Sequence, residues 1–249
     1  MNTNHSSVFY RPMHNLRLSK CADTSFSDKG NSDINVCFTL IFDYNISMKA
    51  TLSNYGACIE KLKKSKKMLT ARDFIKAGIP SVYLSRMLKT NQIERVGRGI
   101  YRFPDGDYDP DYCLFLRYPR IVYSGLSALY FHGLTDRLPI VPEITLPASY
   151  NSSGLPKEVL IKKCAVKLFG IGISEAMTSF GNKIPCYDLE RTVIELIKNR
   201  SRIDPELFRC GLHRYKNHPN KDLAKLMDYS RLFRVEKKVY DILEILEDE

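Results

Sequence analysis

Val82, Ser85, Arg86 and Lys89 recur at spacings of three and four residues, so a helix over "VYLSRMLK", capped by Ser81, carries them on one face. Leu84, Met87 and Leu88 take the opposite face and point to a core. A little downstream, Arg98 stands between Gly97 and Gly99 in "RVGRGIYRF", residues 95–103. Guanidinium and ammonium groups bond phosphate oxygens, and an arginine also meets the acceptor edge of guanine. Ser81, Val82, Ser85, Arg86, Lys89 and Arg98 are therefore candidates for contact with DNA. The glycines bend a turn without Cβ strain and put Arg98 at its tip, within reach of a phosphate or the minor groove.

Other residue clusters carry less. "DGDYDPD", residues 105–111, is acidic enough for a calcium loop, but Pro110 stands where that loop needs glycine and Leu116 where it needs glutamate. It reads as a linker. Cys210, His213 and His218 match no zinc spacing and have no second ligand cluster, so they read as a helix with a buried thiol and solvated imidazoles. His132 precedes Gly133 at a helix end, where imidazole bonds free carbonyls, and no nucleophile accompanies it. Gly170 and Gly172 in "FGIGIS" lack the third glycine and the lysine of a phosphate loop, and the glycine-serine turn with paired carboxylates of a nucleotidyltransferase is missing. No catalytic residue, metal site or cofactor is expected.

The elements around the cationic set have a definite order. Leu52 to Lys64 places Leu52, Tyr55, Ile59 and Leu62 on a helix face, with Cys58 beside them. After a short "KML", Thr70 caps "ARDFIKAG", with Asp73 at the third helical position and Gly78 closing the helix. "IP" turns into the helix that carries Arg86. "IERV" and "IYRF" around "GRG" then form a hairpin. Helix, helix, turn, helix, hairpin is the order of a winged helix-turn-helix, with the hairpin as wing.

From Asp105 the pattern turns mixed: an apolar "RIVYS", a helix from Gly125, a strand "EITLP", a turn-rich "ASYNSSGLP", and strands near "VLIKKCAVKLF" and "KIPCY". The last sixty or so residues are helical. Asp188, the Asp204-Pro205 pair and Asn220 precede three helices, and Val235 to Leu246 forms a fourth with Val239, Ile242, Ile245 and Leu246 on one stripe. The fold class is α+β, an N-terminal winged helix-turn-helix followed by a mixed α/β domain that ends in a helical bundle. The expected division is 1–47, 48–104 and 105–249. The first 47 residues show no period; they are either a flexible tail or sequence upstream of a start at Met48.

Composition supports a protein that touches a polyanion. The 249 residues carry a net charge of +10, and all of the excess lies in Lys61–Arg102, where twelve Lys and Arg meet two acids. The other 207 residues balance at 26 of each sign. Charge focused on one element points to a partner rather than to solubility alone. No apolar run is long enough to span a bilayer, and seven scattered cysteines without a C-x-x-C pair read as reduced thiols, so a cytoplasmic protein without a membrane partner is expected.

Three stretches carry a family resemblance: "MLTARDFIKAGIPSVYLSRMLKTNQIERVGRGIYRFPD", "YPRIVYSGLSALYFHGLTDRLP…EITLP" and "FGNKIPCYDLERTVIELIKNRSRIDPELFRCGLHRY". Together they resemble the AbiEi antitoxins of bacterial abortive-infection toxin–antitoxin systems, from about Met48 to the C-terminus. The resemblance implies a non-enzymatic protein whose winged helix represses its own operon by binding inverted repeats in the promoter. It also implies a C-terminal domain that counteracts a nucleotidyltransferase-like toxin, without requiring a stable complex with it. The alternatives are a DNA-binding regulator or adaptor with no toxin partner. An enzyme acting on the bound nucleic acid would need clustered carboxylates or a metal site.

Overall fold

A computed structural model describes residues 55–65 and 68–247. The expected tail at residues 1–47 lies outside the described residues. The fold class is α+β, with one small and one larger sheet.

The first layer begins with α1 (Gly56–Ser65), whose Cys58, Ile59 and Leu62 pack inward; the expected start of this helix at Leu52 lies outside the described residues. The short "KML" linker turns out to end in a strand, β1 (Met68–Thr70). α2 (Ala71–Lys76) follows, and the Asp73 carboxylate reaches back to accept the Thr70 backbone N–H at 2.7 Å and its hydroxyl at 2.7 Å. Gly78, at φ +82°, ends it: its N–H bonds the Ile75 carbonyl, and the Ile79 N–H bonds that of Phe74. These are the paired reverse bonds that satisfy a helix C-terminus.

α3 (Ser81–Lys89) starts one residue earlier than its sequence signal. Pro80 holds the cap position and accepts the Tyr83 N–H through its carbonyl, so Ser81 is the first helical residue and not the cap. Asn91, in the left-handed region at φ 54°, closes α3 in the way Gly78 closes α2. β2 (Glu94–Gly97) and β3 (Ile100–Arg102) form the hairpin, and β1 adds to β3, giving an antiparallel order β1-β3-β2. Leu69, Phe74, Ile79, Leu84, Met87, Ile93 and Phe103 fill the core beneath.

The acidic stretch read as a linker is only half loop. Asp109 caps α4 (Pro110–Arg117), with proline in the first turn. Cys113 of α4 packs on Met68 and Ile100 from the back of the small sheet. Beside that cap, burial and then the Asp109 charge push the Asp111 carboxyl up to about 6. Protonation therefore favours the fold: the contribution is complete below the ordinary carboxylate range and is lost as pH rises through about 6. Asp111→Asn is expected to flatten stability against pH between roughly 4 and 6, as read by thermal unfolding across that range.

A five-stranded sheet with order β6-β5-β4-β8-β7 follows, built from β4 (Val122–Tyr123), β5 (Glu143–Pro147), β6 (Leu160–Cys164), β7 (Ile173–Met177) and β8 (Lys183–Tyr187). β4–β5 and β7–β8 are antiparallel; β5–β6 and β4–β8 are parallel. α5 (Gly125–Phe131) connects β4 to β5. Of the strands expected near "VLIKKCAVKLF" and "KIPCY", the first is β6, which stops at Cys164, and Val166–Phe169 is a helical turn, α6.

α7 (Leu189–Lys198) and α8 (Pro205–Lys216) start at the expected caps, Asp188 and Asp204. α9 (Leu223–Leu232) is capped by Asp222 rather than Asn220, and α10 (Glu236–Glu247) contributes Val239 and Ile242 to the core. α7 is the central helix of this layer: seven of its residues besides Glu190 are buried, Arg191 among them.

Candidate nucleic-acid interface

The winged helix divides α3 cleanly. Leu84 and Met87 are buried, Leu88 is half-buried, and Ser81, Val82, Ser85 and Lys89 are exposed. Val82 keeps 58% of its surface in solvent. Arg86 is half-buried: its guanidinium lies 5.0 Å from the centroid of the Tyr83 ring, which in turn tilts against Tyr55 at 4.9 Å. Stacking on a ring face fixes the guanidinium plane and leaves its in-plane N–H groups available.

The three arginines of the hairpin have different surroundings. Arg102 is engaged by Glu94 across the strands at 2.7 Å, and Arg95 donates to the Gly97 carbonyl at 3.2 Å. Arg98 is exposed at the turn and makes no ion pair among the described residues. Only Gly99 adopts a left-handed conformation, at φ +72°. Gly97 instead belongs to β2, beside a register shift that sets Val96 out of step with β3. The turn is anchored as well, since the Ala71 N–H at the start of α2 bonds the Gly99 carbonyl at 3.1 Å. The wing tip and the α2–α3 pair are thereby held together.

Arg72 and Lys76, exposed on α2, were not among the sequence candidates. Their signal was present in the charge focus, but a six-residue helix gives too little periodicity to assign its faces.

The remaining groups with possible chemistry are not gathered. Among the described residues no three His, Cys, Asp or Glu side chains sit close enough to hold a metal ion. His132 caps the end of α5, and its Nε2 lies 2.6 Å from the Tyr187 carbonyl of β8, a neighbouring strand rather than its own helix. Burial holds its imidazole below the ordinary range, so it ties α5 to the sheet in neutral form. Cys210 points to the Leu134 carbonyl at 3.9 Å. Gly172 is needed for close approach: a Cβ there would fall 2.8 Å from that of Arg191, at φ +75°. Of the five described cysteines, all free thiols, Cys113 and Cys186 are buried and the other three are half-buried. No helix among the described residues is long and apolar enough to cross a membrane.

A helix, strand, helix, turn, helix and hairpin over one small core is the architecture of a winged helix-turn-helix, and comparison with known families agrees. The chain's winged-helix segment is similar to the AbiEi antitoxins. Residues 59–104 match that family, described as "Transcriptional regulator, AbiEi antitoxin", over a span that runs from α1 through the wing. No curated protein matches the chain. A solved structure, the crystal structure of RV2827C protein from Mycobacterium tuberculosis, is similar at 15% identity, with a TM-score of 0.46 and 71% of each chain covered. The AbiEi segment holds all six candidate DNA-contact residues, Ser81, Val82, Ser85, Arg86, Lys89 and Arg98.

Proposed function

We propose that this chain is an antitoxin of a bacterial toxin–antitoxin system. α3 and the wing bind double-stranded DNA at promoter inverted repeats and repress the chain's own operon, and residues 105–249 counteract a nucleotidyltransferase-like toxin. The observation that carries the DNA half is the exposed polar and cationic face of α3 beside the solvent-facing Arg98, within a segment that matches an antitoxin regulator family. The match to that family also supports the toxin half. In this reading the second helix of the helix-turn-helix enters the major groove, α2 runs past the backbone, and the wing reaches phosphate or the adjacent minor groove. No reaction is assigned to the chain.

Two arginines separate affinity from specificity. Arg98→Ala is expected to weaken binding to operator and random DNA alike and to lower the slope of log K against log salt by roughly one unit, as loss of one phosphate contact does. Arg86→Ala is expected to cost about 1–3 kcal/mol on the operator and much less on random DNA, because a base-edge contact discriminates. Titration of each variant against two duplexes at several salt concentrations reads both. An unchanged affinity and slope for Arg98→Ala would show that the hairpin points away from DNA.

A further inference from the structure

Where the carboxyl end of β6 meets α7, the structure forms a cavity of about 400 Å³ that opens to solvent. Lys162, Lys163, Arg191 and Lys198 contribute to its wall, against the one carboxylate of Glu195. Two of these cations are matched: Lys162 by Glu143 at 2.7 Å, and Arg191 by Glu195 at 3.1 Å. The other two have no carboxylate partner among the described residues. Lys163 donates to the Tyr150 carbonyl, and the Lys198 ammonium lies 5.7 Å from the centroid of Phe233.

Arg191 is the unusual member. Its side chain is 3% exposed, with the guanidinium 3.5 Å from the centroid of Phe233 and 4.7 Å from that of Tyr187. Nε is spent on Glu195, and Nη2 has only the Cys164 sulfur at 3.8 Å. Nη1 is buried with no hydrogen-bond partner, as is Oε2 of Glu195 on the acidic side of the pair. A buried cationic N–H is seldom left without an acceptor, and two aromatic faces and a carboxylate hold this one in place. A rigid guanidinium donor in a cavity wall, with two uncompensated ammonium groups around it, is suited to a doubly charged oxyanion.

We propose that this cavity binds a phosphate monoester, with its phosphoryl oxygens between Arg191, Lys163 and Lys198. A phosphate monoester is close to a dianion at neutral pH, which answers two lysines without a carboxylate partner better than a single carboxylate does. The cavity is larger than free phosphate requires, and Ala165, Leu168 and Phe233 add apolar surface beside the polar Thr145 and Asn199, a mixture that suits the body of an ester. The same chemistry is presented by a free nucleotide and by the 5′-phosphorylated end of a nucleic acid. The site is separate from the α3 and wing residues and does not rest on the DNA reading.

Calorimetric titration of the full chain near 150 mM salt tests it, with AMP, adenosine, inorganic phosphate, and a trinucleotide carrying either a 5′-phosphate or a 5′-hydroxyl. Saturable binding of AMP but not adenosine is expected if the source is a free nucleotide, and binding of only the 5′-phosphorylated trinucleotide if it is a nucleic-acid end; either supports the site. Lys163→Ala and Lys198→Ala, both at cavity-wall lysines outside the core, are each expected to weaken that binding roughly tenfold. The proposal is overturned if no phosphate probe binds at millimolar concentration, if binding is indifferent to both lysine substitutions, or if inorganic phosphate binds as tightly as the esters.

Discussion

Reversing the charge at Lys89 and Arg98 together, Lys89→Glu with Arg98→Glu, is expected to lower affinity for operator DNA by at least roughly 100-fold, because each change removes one phosphate contact and adds repulsion in its place. The salt slope is expected to fall by roughly two units. Both side chains are exposed and neither makes an ion pair among the described residues, so the melting temperature should stay within a degree or two of the parent. The same variant separates the two halves of the proposed function. Repression of a promoter reporter is expected to be lost, while rescue of cells expressing the toxin is retained, since residues 105–249 are untouched. Loss of rescue with an intact fold would tie toxin counteraction to DNA binding and overturn the division of roles.

Asp109→Ala is expected to have the largest effect on stability. The carboxylate is 1% exposed and accepts three hydrogen bonds: from the Tyr112 N–H at 3.0 Å, the Thr178 hydroxyl at 2.6 Å and the Asn182 amide at 2.7 Å. These join the cap of α4 to the turn between β7 and β8. Alanine removes a helix cap and leaves the buried Thr178 hydroxyl and the amide without their acceptor, a loss of about 3–5 kcal/mol. In thermal unfolding this corresponds to a fall of roughly 10 °C for a chain of this size. Asp109→Asn retains one acceptor oxygen and is expected to fall between the two. A change of only a degree or two for alanine would mean that the three-way bond contributes little.

What was legible in the sequence follows from length and amphipathicity. α3, α7 and α8 each present an apolar stripe over two turns or more, and their positions can be read from Leu84 and Met87 or from the Asp188 and Asp204-Pro205 caps. The wing announced itself through glycine and strand residues in close order. β1 is three residues long, too short for any period to emerge, so its place beside β3 is set by the tertiary fold. β7 was missed because it is an edge strand: only Ala176 of its five residues is buried, and "ISEAM" has no alternation to mark it. α4 was a missed opportunity, since Asp109-Pro110 is the same cap signature as Asp204-Pro205, hidden within an acidic stretch.

At the interface, the type and spacing of the α3 residues gave the exposed face, but the surroundings of each cation were beyond reach. That Arg102 is engaged by Glu94 whereas Arg98 is not depends on cross-strand register, Glu94 opposite Arg102. The Arg86–Tyr83 stack requires the side-chain directions of a built helix. The cavity around Arg191 draws on β6, α7 and Phe233, segments as far as seventy residues apart, and no local pattern brings them together.

DNA reading by α3 and the wing can be measured as the affinity of the full chain for a duplex carrying the inverted repeat of its own promoter and for a scrambled duplex, across a range of salt concentrations. A steep, linear fall of log K with log salt is expected on both duplexes, with tighter binding to the repeat at every salt concentration. Equal affinity for the two duplexes would contradict recognition by α3, and binding insensitive to salt would contradict contact with phosphate.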